Sequence, residues 1–155
     1  MNIRRENLEG GGVVHLIFDR PGSTAKPSIF IAEADIKELF TADVSEAKVQ
    51  EVVALGQDVC FSIDALTIPS VAAIHGASMG GGFEIALACD YRVASGDKVT
   101  KIGLPETQLG ILPAWGGCTR LPRVIGLSTA LDIIFAGEYS WLEAEIVQQV
   151  TQSEG

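Results

Sequence analysis

Histidine and cysteine are scarce in this 155-residue chain, with two of the first and three of the second. Cys60, Cys89 and Cys118 are odd in number and widely spaced, without a CxxC pair or clustered histidines. That excludes a disulfide framework and a zinc site, and no metal is expected. Free thiols of this kind behave as small buried hydrophobes. Basic residues are few as well: 11 Lys and Arg against 20 Asp and Glu leave a net charge of -9. Such a field repels phosphate backbones and anionic lipid, so nucleic acid is excluded as a partner. No apolar run approaches the ~20 residues that span a bilayer, and Met1 to Glu6 is charged, so neither membrane insertion nor secretion is expected. The expected setting is cytoplasmic. No repeat, low-complexity tract or linker divides the chain, and its 47% hydrophobic content can fill the core of one domain over 1–155.

Glycine, by contrast, is abundant, at 17 residues. Gly10 to Gly12 predict a turn before an apolar strand, Val13 to Phe18, in which His15 reads as a packed residue rather than a ligand. Arg20 to Thr24 is turn chemistry, and a second apolar run follows at Ile29 to Ala32. Between Ser45 and Leu66 the apolar positions Val49, Val52, Val53, Gly56, Val59, Cys60, Ile63 and Leu66 keep the three-four spacing of a helix with one buried face. Gly56 on that face permits close packing. Thr67-Ile68-Pro69 ends the helix, Ser70 to His75 reads as a strand, and a glycine cluster leads into a helix from Phe83 to Cys89. A short strand over Tyr91 to Ala94 precedes a loop from Asp97 to Gly103. Further helices are expected from near Gly116, from Leu127 to Phe135 with Ser128 as cap, and from Leu142 to Val150.

Chemistry concentrates in VAAIHGASMGGGFEIALACDYRVA, from Val71 to Ala94. Three glycines between strand and helix let the backbone approach a ligand, and the helix start offers unpaired N–H groups to negative charge. Glu84 follows the glycines by two residues and is placed to face whatever that turn binds. The same stretch contains Gly76-Ala77-Ser78-Met79-Gly80, the G-x-S-x-G pattern of a hydrolase nucleophile. Those enzymes place their histidine after the serine, whereas His15 and His75 both precede Ser78. A serine hydrolase of that order is excluded, and Ser78 reads as a small packing residue.

Three segments together resemble the enoyl-coenzyme A hydratase (crotonase) family in order and spacing. They are Ser70 to Arg92, Ile102-Gly103-Leu104-Pro105-Glu106, and the run from Leu109 to Pro122. Ile29 to Lys37 is similar to that family's coenzyme A-binding loop, and the match extends over about residues 29–137. The resemblance implies an α/β fold, an incomplete crotonase-like spiral of ββα units. It implies an oxyanion hole from the backbone N–H groups of Ala34 and Gly81, catalytic carboxylates at Glu84 and Glu106, and substrate contacts from Ala32, Asp35, Ile36, Lys37 and Gly80. The implied partner is an acyl-coenzyme A thioester, with coenzyme A as part of the substrate and no separate cofactor. The implied reaction is hydration of trans-2-enoyl-coenzyme A in fatty-acid β-oxidation. Both glutamates are present, which favours a hydratase over an isomerase that manages with the position of Glu106 alone. Leu104 to Leu121 also resembles the amino-terminal hydratase part of multifunctional fatty-acid oxidation proteins. No nicotinamide-binding fingerprint occurs here.

The chain departs from the family in three places. Between the first strand and Lys26-Pro27-Ser28-Ile29 only Gly22 to Ala25 stand where a helix and a strand are usual, so a gap in the sheet is expected, with apolar faces and strand edges left without partners. Glu33 stands where glycine usually adjoins the oxyanion donor. After Ala136-Gly137-Glu138 the pattern fades, and the carboxy-terminal helices that join family members into homo-oligomers are missing. The alternative these departures carry is a noncatalytic remnant that still binds acyl-coenzyme A.

Overall fold

A computed structural model describes residues 2–7, 14–19, 29–31 and 45–136. The expected turns around Gly10 and Arg20, and the last helix from Leu142 to Val150, lie outside the described residues. Strands β1 (Asn2–Asn7) and β2 (Val14–Asp19) pair antiparallel. The charged opening segment was not expected to form a strand; pairing with the apolar run of β2 places it in one. Strand β3 (Ile29–Ile31) follows, and then helix α1 (Glu46–Asp64).

Helix α1 has the predicted extent, yet its buried face is narrower than its apolar spacing implies. Gly56 and Cys60 are buried, while Val49, Val52 and Leu66 are exposed. Thr67 to Pro69 then releases the chain into β4 (Val71–Ile74), which pairs in parallel with β6 (Tyr91–Ala94). On this two-stranded sheet Ala72, Ile74 and Arg92 face inward, and Val71, Tyr91 and Val93 are exposed. Among the described residues the β1–β2 pair and the β4–β6 pair are separate sheets.

Two short strands were missed in the sequence. Between β4 and the glycine-led helix the chain forms β5 (Ala77–Met79), and the expected loop from Asp97 ends in β7 (Lys101–Gly103). Three residues are too few for an alternation to show, and both strands exist because they pair with each other. The order is β3-β5-β7, all parallel, with Met79 opposite Gly103. The helix after the glycines, α2 (Gly81–Ala88), starts two residues earlier than expected and is buried from Gly82 to Ala88.

A 3₁₀ turn (Pro105–Leu109) follows β7, and then come α3 (Gly117–Ile125) and α4 (Leu127–Ala136). Ser128 lies inside α4 rather than capping it, because Gly126 already closes α3 and the new helix begins on the next residue. The main core joins Ala72 and Ile74 of β4, Phe83, Ala86 and Leu87 of α2, Ile102 and Leu104, and Leu121, Ile125, Ala130 and Ile134 from α3 and α4. Each large side chain there contributes about 1.5–3 kcal/mol by burial. A smaller cluster of Cys60, Ile85 and Ala88, with Ile63 and Trp115 against it, docks α1 onto the other side of α2. Helix α2 is thus wedged between two apolar groups, and its orientation is fixed. Arg92 closes its far end, donating from Nη1 to Cys89 O at 2.6 Å and to Ala86 O at 3.3 Å, the second a carbonyl that also accepts from Cys89 N.

Candidate active site

Parallel pairing of β5 with β7 brings two carboxylates to one edge. With Met79 and Gly103 in register, both strands end side by side, and Gly80 N donates to Gly103 O at 2.9 Å across that end. Each strand leads directly into a helical turn: α2 carries Glu84 in its first turn, and the 3₁₀ turn carries Glu106 in its own. The carboxyl ends of parallel strands are where ligands bind in sheets of this kind. Both side chains are buried, Glu84 to 2% exposure and Glu106 to 6%. Leu104, beside Glu106, and Glu84 converge on Gly117, where a Cβ would stand 3.1 Å from Leu104 Cδ1 and 3.0 Å from Glu84 Oε1.

Glu84 is held by backbone. Trp115 N and Gly117 N both donate to its Oε1, at 2.9 and 2.7 Å. Both bonds fall on one oxygen. Burial pushes the Glu84 carboxyl above the usual glutamate range, against the opposing pull of the Gly117 and Trp115 amides and the Arg120 cation. Cys118, at the start of α3, has a thiol raised by desolvation and then by the charges of Glu84 and Glu106, so one side chain feels both carboxylates.

The amides of Phe83 and Glu84 are spent on Gly80 O, at 2.9 and 3.0 Å. Those of Gly81 and Gly82, at the positive end of α2, have no acceptor among the described residues and can serve a ligand. Gly80, the N-cap of α2, lies beside them. Glu33 and the other expected site residues, Ala32, Ala34, Asp35, Ile36 and Lys37, lie outside the described residues. Ser78 is 0% exposed, in the middle of β5, and its Oγ finds no hydrogen-bond partner among the described residues.

Sequence reasoning missed what supports the site. Trp115 was noted only within a motif, yet its indole fills a slot between α1 and α2. A Cβ on Gly56 would lie 2.1 Å from ring atoms Cε2 and Nε1, and one on Gly81 would lie 2.3 Å from Cζ3. Glycine at both positions is the signal, legible once the two helices are known to meet there. The 3₁₀ turn is tied down from the other direction, since Thr107 Oγ1 donates to Ile134 O at 2.7 Å and Gln108 Nε2 to Ala136 O at 2.9 Å. These carbonyls belong to the last turn of α4.

A family model for enoyl-CoA hydratase/isomerase matches residues 23–151. Among solved structures, an enoyl-CoA hydratase from Bacillus anthracis is 38% identical with a TM-score of 0.71, over 81% of this chain and 48% of that one. An enoyl-CoA hydratase from Geobacillus kaustophilus is 39% identical with a TM-score of 0.66, over 76% and 44%. DspI from Pseudomonas aeruginosa is 33% identical with a TM-score of 0.70, over 82% and 50%. The chain therefore spans about half the length of the structures it matches.

Proposed function

Since this chain belongs to the enoyl-CoA hydratase/isomerase (crotonase) family and carries part of its α/β fold, we propose that it hydrates trans-2-enoyl-CoA to 3-hydroxyacyl-CoA, as a lyase of fatty-acid β-oxidation. The observation that carries this reading is the pair of buried carboxylates at adjoining strand ends, one of them oriented by two backbone amides. Hydration adds the oxygen of water to Cβ of the thioester and a proton to Cα. Negative charge builds on the thioester oxygen meanwhile, and N–H donors fixed in advance lower the barrier; removal of one typically costs about 3 kcal/mol. In this reading the Gly81 amide is one donor and the Ala34 amide the other. Glu84 and Glu106 hold the water and move its protons, a role favoured by a carboxyl whose pKa lies above the ordinary range. The two titrate as a pair, and acid and base are not assigned separately.

Among the described residues no helix is long and apolar enough to cross a membrane. Cys60, Cys89 and Cys118 are all free thiols. Loss of the ultraviolet absorbance of crotonyl-CoA tests the proposal directly. Folded protein with no turnover, indistinguishable from Glu84→Ala and Glu106→Ala, refutes it. Glu33, standing beside the proposed Ala34 donor where the family usually has glycine, favours a second reading, a domain that binds acyl-CoA without turning it over. Calorimetry with a nonreactive acyl-CoA separates them: binding without hydration supports this second reading. An isomerase, needing Glu106 alone, would instead survive Glu84→Ala.

A further inference from the structure

The turn from Ala114 to Gly117 presents amides to one side and carbonyls to the other. Its amides orient Glu84, as described, and its carbonyls are held in turn. Gln57 Nε2 of α1 donates to Ala114 O at 2.8 Å, and Arg120 Nη1 of α3 donates to Trp115 O at 3.0 Å. Arg120 Nη2 pairs with Asp64 Oδ2, and the guanidinium lies 5.8 Å from the centre of the Phe61 ring. Asp64 is the last residue of α1. A carboxylate there opposes the helix dipole, so Asp64 serves the contact with Arg120 and not the helix. Gly116 completes the fit: its φ is +118°, and a Cβ would stand 1.8 Å from Arg120 Nη1, in space the guanidinium occupies.

We infer that Arg120, anchored by Asp64, is a positioning residue for Glu84, fixing the carbonyl side of the turn whose amide side aims the carboxylate. The inference rests on the reading of Glu84 as a reacting group. Other titratable groups face Glu84: Cys60 from α1 and Cys118 from α3, the latter also within reach of the Glu106 charge. None of them bridges the turn to a second helix, as Arg120 does.

The decisive variant is Asp64→Ala in the full chain, at a half-exposed site where folding is not at stake. The readout is the titration midpoint of Glu84, followed by infrared absorption of ¹³C-labelled glutamate carboxylates after subtraction of the Glu84→Gln spectrum. Two roles predict opposite signs. As a bare negative charge, Asp64 opposes ionisation of Glu84, so its removal lowers the midpoint. As an anchor, its removal slackens the turn and frees the Arg120 cation, so the midpoint rises. We expect a rise, reproduced by Arg120→Met, with kcat for crotonyl-CoA down at least about tenfold and KM within about twofold. A fall or no movement in Asp64→Ala, or an unchanged midpoint in folded Arg120→Met, overturns the inference. The midpoint is readable whether or not the protein turns over, so absence of hydration sinks the proposed function while the positioning role is still judged on the titration.

Discussion

Gly56→Ala sets two magnitudes against each other. Gly56 lies in the interior of α1, where alanine is favoured over glycine by about 1 kcal/mol, so helix propensity alone predicts a more stable protein. The added Cβ would stand 2.1 Å from two atoms of the Trp115 indole and 2.3 Å from a third, far inside the 3.4 Å at which ordinary contact begins. The ring must withdraw by more than an ångström, and on its other side Gly81 leaves it no room. Overpacking of that kind costs about 1–3 kcal/mol. The net expectation is a loss of about 1 kcal/mol and a fall of several degrees in Tm. Turnover should fall as well, because Trp115 N is one of the two donors to Glu84. Thermal melts of the single variants Gly56→Ala and Trp115→Ala and of the double variant form the assay. In the Trp115→Ala background the penalty should vanish and alanine at 56 should become stabilising. A Tm raised by Gly56→Ala with Trp115 in place refutes the slot.

Glu84→Gln should abolish hydration yet raise Tm at pH 7. Burial raises the folded pKa, so the folded chain binds its proton more tightly than the unfolded chain, and stability is lost as pH climbs from the ordinary glutamate range through the folded value. The advantage of Gln should therefore disappear in melts near pH 4, and persistence there refutes the assignment. Cys118 is exposed and feels both carboxylates, so its alkylation at pH 8 should accelerate by a few fold in Glu84→Gln and in Glu106→Gln. Cys60, whose thiol burial pushes up to about 11, should stay unreacted in the native protein. Thr107→Val deletes the bond to Ile134 O and should cost about 1 kcal/mol in denaturant melts while lowering kcat, since it loosens the turn that carries Glu106; a variant with unchanged kcat would show that the tether serves α4 alone.

Long elements and local chemistry were legible in the sequence, whereas contacts between elements were not. Helix α1 announces itself by apolar spacing over 19 residues, but that spacing does not say which part of the stripe will be covered, and Val49 and Val52 stay exposed. Strands β5 and β7 have three residues each and owe their existence to a partner more than twenty residues away, information that no local window contains. The carboxylates were legible because the motifs around them are specific. Their supports, Trp115 between two glycines and Arg120 between Asp64 and a carbonyl, depend on α1 meeting α2 and α3, a tertiary fact. For the residues between β3 and α1, which include Ala34, only the sequence speaks.

The buried charged side chains supply the last step, because they can be sorted by whether the fold needs their charge. Among the described residues these are Glu84, Arg92 and Glu106. Arg92 has a structural task, since its guanidinium meets the carbonyls of Ala86 and Cys89 at the end of α2, and an apolar residue would offer them no donor. Glu84 satisfies two amides, but a glutamine oxygen would accept the same two bonds without the cost of a buried negative charge. Its ionisable group is thus more than the fold requires, on a helix whose other residues from Gly82 to Ala88 are apolar and packed. The proposed hydration gives such a group, at the carboxyl end of parallel strands and near unspent amides, a task, and Glu84→Gln measures that surplus as stability gained when activity is lost.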